Sequence, residues 1–241
     1  MNILRSTHHK IMYPLALTAI ASIFTLSACT KGEQGEGHGH AEHTAHAPVE
    51  IAAPAGEYII DNTHAMVGFQ VSHLGISKYT ARFNEFNVIL NLDPADISSS
   101  TVSATIEADS IDTGYPGDYV GTHKNSGFKS WDEDLALNPK WLDGKDHPTI
   151  RFSSRSVQET NGQLEIIGDL TLRGVTHPVT LLATVSGSAE AHPFRKVGTI
   201  GFSATGTFNR SEFGMTNLLG ANLIGDEVTL LFEGEFLQQV K

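Results

Sequence analysis

The most constraining feature of this sequence is a pair of alternating segments that meet at a short turn. Apolar and polar residues alternate from Leu164 to Leu172 and again from Val175 to Val185, which is the pattern of two half-buried strands. Arg173-Gly174 lies between them, and glycine tolerates the positive φ of a tight turn. If these two residues form the turn, both apolar sets fall on one face of a hairpin. The predicted pairs are then Leu172 with Val175, Leu170 with His177, Ile166 with Leu181, and Leu164 with Ala183.

Short alternating segments of the same kind recur throughout residues 57–241, and no long amphipathic helical pattern separates them. Tyr58–Ile60 is predicted to be a short first strand. Phe83 is out of phase with Phe86, which predicts a bulge near Asn84-Glu85. Eight to nine two-faced strands favour an antiparallel sandwich or closed barrel, and an eight-stranded barrel can hold one small ligand. The sequence therefore predicts an all-β fold.

One segment, at about residues 110–148, does not follow the strand pattern. It contains Trp131, Trp141 and the apolar cluster Leu135-Ala136-Leu137. A connection of this length usually has a function or secondary structure of its own. We expect one or two short helices in it.

Residues 1–28 have the layout of a secretory signal, with a basic start, an apolar run and small residues before Cys29. The apolar run is short for a membrane-spanning helix, although a single membrane anchor is the alternative interpretation. Cys29 is the only cysteine, and its position resembles the acylated cysteine of bacterial lipoproteins. This resemblance implies a periplasmic protein that is anchored to a membrane through acylated Cys29. Thr30 follows it in place of aspartate, and by resemblance to the sorting rules of enteric lipoproteins this implies the outer rather than the inner membrane.

Residues 29–56 are rich in glycine, alanine, glutamate and histidine and have few apolar residues to bury, so we expect a disordered tether. Four histidines in it could bind Zn²⁺ or Cu²⁺, namely His38, His40, His43 and His46. The alternative is a polar linker that is merely rich in histidine. The net charge of −11 argues against binding to nucleic acid, because phosphate contacts need lysine and arginine.

Several short motifs occur in a specific order within 57–241. They are Tyr58-Ile59-Ile60-Asp61 with His64, His73–Ser77, Ser110–Gly114, His147–Ser154, the hairpin, Arg210–Met215 and Gly225–Val228. In this order the chain resembles the YceI-like family of bacterial polyisoprenoid-binding proteins. The resemblance implies an eight-stranded antiparallel, lipocalin-like barrel with a long apolar pore, in which characterised members hold an isoprenoid chain. Between Gly114 and His147 the chain differs from many members, so the resemblance says least about that part of the pore.

The inward phase of the strands and the resemblance together give a candidate pore wall. Its members are Phe69, Val71, His73, Phe86, Ile106, Phe152, Leu170, Leu172, His177, Phe202, Phe208, Phe213, Met215 and Phe232. A barrel filled solidly by side chains needs the same alternation, and only the resemblance favours a pore. His73 and His177 are either neutral core histidines with a hydrogen-bond partner, which we favour, or contacts for a ligand head group.

Arg210 and Asp226 are candidates for an ion pair or for a phosphate or quinone contact. Mutual pairing is favoured because an unpartnered buried charge is costly.

No catalytic motif is present: the sequence has no Gly-x-Ser-x-Gly elbow, His-Glu-x-x-His, P-loop or dinucleotide fingerprint. The leading hypothesis is a non-catalytic protein that binds a polyisoprenoid lipid in the periplasm, for transport or storage, and requires no cofactor. The lipid is an isoprenoid quinone or a polyprenyl precursor, and a homodimer is compatible with this function. The alternatives are a periplasmic metal-binding protein that uses the histidine-rich segment, and a hydrolase or isomerase that uses His73 or His177 with a serine.

Overall fold

The computed structural model describes residues 49–220 and 223–240. The ten strands are β1 Gly56–His73, β2 Ser77–Phe83, β3 Phe86–Leu92, β4 Thr101–Glu107, β5 Ile111–Asp112, β6 Thr149–Thr160, β7 Gln163–Leu172, β8 Val175–Ala189, β9 Thr199–Asn209 and β10 Ile224–Gln238. Two short helices, α1 Tyr119–Thr122 and α2 Trp131–Leu137, lie between β5 and β6. Three 3-10 turns complete the described elements: Ile97–Ser99, Ala108–Ser110 and Arg210–Phe213.

The strands form one antiparallel sheet that closes on itself. Its order is β10-β9-β8-β7-β6-β4-β3-β1-β2-β5, and β10 also pairs with β1. β3 and β2 pair one after the other with the same edge of β1, so together they fill a single position in the barrel. β5 continues the course of β4 beside β2. The result confirms the predicted eight-stranded antiparallel barrel, which the pairing of β10 with β1 closes.

Two details of the strand prediction are wrong. The expected short first strand is the start of a single 18-residue strand, β1, with an irregularity between Ile60 and Ala65. The expected bulge at Asn84-Glu85 is instead a break that separates β2 from β3. Because the chain bends at this break, the alternation of β2, which ends at Phe83, does not continue into β3, which begins at Phe86. The two strands nevertheless lie end to end along the same edge of β1.

The β7–β8 hairpin has the predicted register. Leu172 pairs with Val175, Leu170 with His177, Ile166 with Leu181, and Leu164 with Ala183. Both turn residues are left-handed, with φ of 54° at Arg173 and 74° at Gly174. The Arg173 side chain donates to the carbonyl oxygen of Trp141 at 2.8 Å and so ties this turn to the connector.

The connector between β5 and β6 contains the two short helices that were expected. α2 begins after Ser130, whose hydroxyl accepts a hydrogen bond from the Glu133 amide at 3.0 Å, and Glu133 in turn accepts from the Lys129 amide at 2.6 Å. This reciprocal capping explains why so short a helix begins there. Leu135 and Ala136 are buried against the barrel core.

Residues 49–55 pack on the barrel, which corrects the prediction that the disordered tether extends to residue 56. Ala53 is buried, and the Tyr58 hydroxyl donates to the carbonyl oxygen of Pro54 at 2.6 Å. The amide of Ala52 donates to the Ser188 hydroxyl at 2.8 Å. This end of the barrel, covered by residues 49–55 and formed by the loops 93–100 and 190–198, is called the base below.

The signal 1–28 and the predicted ligands and anchor that follow it lie outside the described residues: Cys29, His38, His40, His43 and His46. In the part of the chain that is described, the structure contains no helix that is both long and apolar enough to cross a bilayer.

Candidate functional site

The barrel encloses a cavity of about 610 Å³, which falls in the range of roughly 300–1,000 Å³ typical of ligand pockets. Its wall is built from the inward-facing apolar side chains of the strands. Three inward positions hold only alanine, namely Ala104, Ala183 and Ala204, and the last two are directly paired across β8 and β9. Because these side chains are small, the large residues around them do not meet in the middle. The barrel is therefore hollow, not filled by its side chains.

The cavity opens at the end opposite the base. Apart from Thr101, the wall residues that are exposed to solvent lie at this end: His73, Tyr115, His123 and Leu218. The end is formed by the β1–β2 turn at residues 74–76, the connector at residues 113–148 and the described residues of the loop before β10, namely 210–220 and 223. We call it the mouth.

Polar and ionisable wall residues are concentrated at the mouth. They are His73, Tyr79, Tyr115, His123 and Arg210, whereas the base contributes only Ser100 and Thr101. The middle of the cavity is lined by aliphatic and phenylalanine side chains. This distribution suits a ligand with one polar end and a long apolar remainder.

Arg210 does not pair with Asp226, which corrects the predicted ion pair. Its guanidinium instead donates to four backbone carbonyl oxygens of the surrounding loop, at Met215 (2.7 Å), Asn217 (2.9 Å), Gly225 (2.7 Å) and Ile224 (3.0 Å). Asp226 accepts from both the amide and the hydroxyl of Ser211, at 2.9 and 2.7 Å.

The environment of Arg210 is that of a buried structural charge. Burial lowers the pKa of Arg210, and the negative charge of nearby Asp226 acts in the opposite direction. The four carbonyl oxygens replace the water that the guanidinium loses on burial. Its side chain also lines the cavity and lies 6.0 Å from the centre of the Trp141 ring. Arg210 therefore fixes the mouth loop in place beside the cavity.

The connector adds a stack of aromatic rings to the mouth. Tyr119 stacks on His123 with ring centres 4.4 Å apart and on Trp131 at 5.8 Å, and Trp131 meets Trp141 edge to face at 5.9 Å. His123, Trp131 and Trp141 line the cavity. The connector thus provides a flat aromatic surface at the cavity entrance.

A buried hydrogen bond holds this stack. The Tyr119 hydroxyl donates to Asp134, which also accepts from the Asn138 side-chain amide at 2.7 Å. Burial, together with this bond to Asp134, raises the pKa of Tyr119 to about 12. Tyr119 therefore stays protonated at neutral pH, and its role is to fix the position of the neighbouring rings.

Eleven of the predicted wall residues line the cavity: Phe69, Val71, His73, Ile106, Phe152, Leu170, Leu172, Phe202, Phe208, Met215 and Phe232. Phe86, His177 and Phe213 do not. Phe86 is half-buried against the core. The His177 ring packs edge-on against Phe213 at 5.2 Å, so His177 supports the mouth loop from outside the cavity.

The favoured interpretation of His73 as a core histidine is wrong, because its side chain is exposed at the mouth. It lies at the end of β1, where the strand leaves the barrel.

Sequence reasoning did not assign five wall residues of the mouth to the site: Tyr79, Tyr115, His123, Trp131 and Trp141. All but Tyr79 belong to the connector. The signal that could have found them is the density of aromatic residues in a connection that has little strand pattern. The described residues contain no group of three His, Cys, Asp or Glu side chains arranged to hold a metal ion.

Comparison with known proteins agrees with this architecture. The YceI-like domain family matches residues 58–236. This chain belongs to the YceI-like family. It is 32% identical over 190 residues to protein YceI of Escherichia coli, which covers 78% of this chain and 90% of the relative. It is also 32% identical over 177 residues to a UPF0312 protein of Vibrio cholerae, covering 72% of this chain and 85% of the relative.

Two solved structures share the YceI-like barrel. BcnA of Burkholderia cenocepacia superposes with a TM-score of 0.58 at 20% identity, covering 73% of this chain and 98% of the other. A YceI protein of Campylobacter jejuni superposes with a TM-score of 0.56 at 25% identity, covering 75% of this chain and 97% of the other. These two comparisons show a shared fold. The residues of the cavity wall come from the structure of this chain alone.

Proposed function

We propose that this protein binds a polyisoprenoid lipid, an isoprenoid quinone or a polyprenyl precursor, inside its barrel and catalyses no reaction. The observation that carries the proposal is the cavity of about 610 Å³, whose wall is apolar apart from the mouth and two hydroxyl residues at the base, Ser100 and Thr101. A long isoprenoid chain exposes a large apolar surface to water, at about 25 cal/mol per Å². An apolar cavity removes this cost, and binding of an isoprenoid chain is the activity that the resemblance to the YceI-like family implies.

The lipid binds with its apolar chain toward the base and its polar head group at the mouth. Both ends of the cavity support this orientation. The middle of the cavity offers phenylalanine and aliphatic side chains, to which a head group could not hydrogen-bond, and the base adds only the hydroxyls of Ser100 and Thr101. The mouth offers His73, Tyr115 and His123, together with the Trp131 and Trp141 rings, for a polar or planar head group.

The absence of catalysis is supported by the surroundings of the two candidate histidines. A histidine that activates a serine nucleophile must lie within hydrogen-bond reach of it. Among the described residues, no side-chain hydrogen bond joins His73 or His177 to a serine, and His177 lies outside the cavity wall. Binding is thus the function that this geometry supports.

The protein holds this lipid in the periplasm, anchored by acylated Cys29 to the outer membrane, and stores it or carries it between membranes. This part of the proposal is supported by the sequence: a secretory signal, a single cysteine at its end, and a hydrophilic segment before the barrel. Such a segment allows an anchored barrel to move away from the membrane surface.

The test is organic extraction of protein purified from its own host, followed by mass spectrometry. We expect a prenyl lipid in near-equal amount to the protein. The Ala204→Phe variant, which fills the cavity, should lose it, whereas Thr205→Phe on the outer face of the same strand should keep it. The proposal fails if the natural protein contains no prenyl lipid, or if Ala204→Phe retains as much as Thr205→Phe.

A further inference from the structure

Four large apolar side chains are exposed together at the mouth. Leu74 and Ile76, in the β1–β2 turn, are 45% and 83% exposed, and Leu218 and Leu223, in the mouth loop, are 42% and 36% exposed. The two loops are joined directly, since the amide of Leu74 donates to the carbonyl oxygen of Leu223 at 2.8 Å. We call these four residues the apolar tip.

Two members of the apolar tip also have an unfavourable backbone. Leu74 has φ of 57° and Leu218 has φ of 62°, in the left-handed region that glycine and asparagine adopt far more readily than leucine. Leucine is unfavourable for stability at these positions for two reasons: its apolar side chain is exposed to water, and its backbone adopts a positive φ. Backbone strain that stability does not explain, found at a cavity entrance, points to a functional role for these side chains.

Charged residues are absent from the segments that form the apolar tip. Neither residues 73–77 nor residues 214–224 contain aspartate, glutamate, lysine or arginine. The tip is also continuous with the cavity, because Leu218 is both exposed and part of the cavity wall, and Ile224 lines the wall next to Leu223. Leu218 and Ile224 therefore provide an apolar connection between the outside of the mouth and the interior.

We propose that the apolar tip inserts into the surface of a lipid bilayer with neutral head groups, so that the ligand passes between membrane and cavity without crossing water. This inference rests on the proposed function, because a ligand with a long apolar chain has a bilayer as its source. The uncharged segments favour a neutral surface, and the net charge of −11 gives no general attraction to an anionic one.

Site-specific labels test which end of the barrel contacts the membrane. In the full chain carrying Cys29→Ser, Ile76→Cys and Phe194→Cys each provide a single thiol for a polarity-sensitive fluorophore. Phe194 is the matched control because its side chain is similarly exposed, at 88% against 83% for Ile76, but lies in the 190–198 loop at the base. On addition of phosphatidylcholine vesicles, the label at residue 76 should shift to shorter wavelength and become protected from an aqueous quencher. The label at residue 194 should not change.

A transfer assay tests the consequence for the ligand. The double variant Leu74→Asn and Ile76→Ser removes apolar surface from the tip and puts a residue that tolerates positive φ at position 74. We expect the rate of prenyl-lipid transfer from phosphatidylcholine vesicles to fall by at least about tenfold, with the melting temperature unchanged or higher. Phe194→Ser should transfer lipid at the natural rate.

The proposal is overturned if the labels at residues 76 and 194 respond alike, if only vesicles with anionic lipid produce the shift, or if the double variant transfers lipid as fast as Phe194→Ser. Failure of the proposed function gives a different result. In that case extraction yields no prenyl lipid, whatever the labels report. If lipid is extracted but the labels do not respond, the protein is a lipid carrier that does not dock through its mouth.

Discussion

At the base of the barrel the large side chains Tyr58, Ile200 and Phe236 are completely shielded from solvent, and residues 49–55 cover them. At the mouth, histidine and leucine side chains of the cavity wall are exposed instead. Two leucines there adopt left-handed backbone. The two ends belong to the same closed sheet, so the difference comes from the loops and from the side chains at the strand ends.

This contrast shows that the two ends of a binding barrel meet different requirements. The base needs only to stay closed, and tight apolar packing achieves that. The mouth must admit a ligand, so its residues are kept accessible and its loops are held by specific hydrogen bonds around Arg210 and Tyr119. Regions that take part in binding are commonly drawn from the less stable parts of a fold. Four substitutions test this division.

The largest expected effect is at the base. Phe236→Ala removes a fully buried ring that packs on Phe202 and Phe232, and we expect a loss of about 3–5 kcal/mol in the free energy of unfolding. Ile76→Ala, at the mouth, should change it by no more than about 0.5 kcal/mol. Urea unfolding of both variants measures the difference. Equal losses would show that the two ends do not differ in their contribution to stability.

Arg210→Met is expected to be nearly as damaging, although it lies at the mouth. It leaves four carbonyl oxygens, one buried and three part-buried, without their donor, and we expect a loss of about 2–4 kcal/mol. Arg195→Met, at an exposed position in a base loop, is the control and should have little effect. Thermal unfolding would contradict this role for Arg210 if both variants melted at the natural temperature.

Gly174→Val tests the turn that ties the hairpin to the connector. Gly174 has φ of 74°, which strains a β-branched residue, and a Cβ built there lies 2.9 Å from the His147 ring. We expect a loss of about 1–3 kcal/mol, measured by urea unfolding. Gly187→Ala is the control, because a Cβ there meets no atom within 4 Å. If Gly174→Val were as stable as this control, the left-handed conformation assigned to Gly174 would be contradicted.

Tyr119→Phe should have the smallest effect at neutral pH, about 1 kcal/mol, because it removes one hydrogen bond to Asp134. The pKa of Tyr119 is raised from 10.0 to about 12 in the folded protein. Its contribution to stability is therefore fully present below pH 10 and is lost as the pH rises toward 12. The difference in stability between the natural protein and Tyr119→Phe should shrink over this window. A difference that stayed constant from pH 9 to pH 12 would contradict the raised pKa.

The sequence was sufficient for the fold because its signals are local. Strand alternation has a period of two, and a two-residue turn fixes the register, so the pairing of Leu172 with Val175 followed from the residues alone. The order of the family motifs then distinguished a barrel from a sandwich. The merging of β1 into one strand was not predictable, because residues 61–64 lack alternation and have no partner in the β1–β10 register. The strand is continuous because β10 pairs with the residues on both sides of this irregularity.

The cavity, in contrast, was decided only by the tertiary structure. An inward side chain gives the same sequence pattern whether it meets another side chain or an empty space. The difference depends on the small residues Ala104, Ala183 and Ala204 lining the same cavity, which the separate strand patterns do not show. The partners of Arg210 are backbone carbonyl oxygens, which every residue carries and no motif identifies. Sequence thus determined which faces are apolar, and folding determined what those faces enclose.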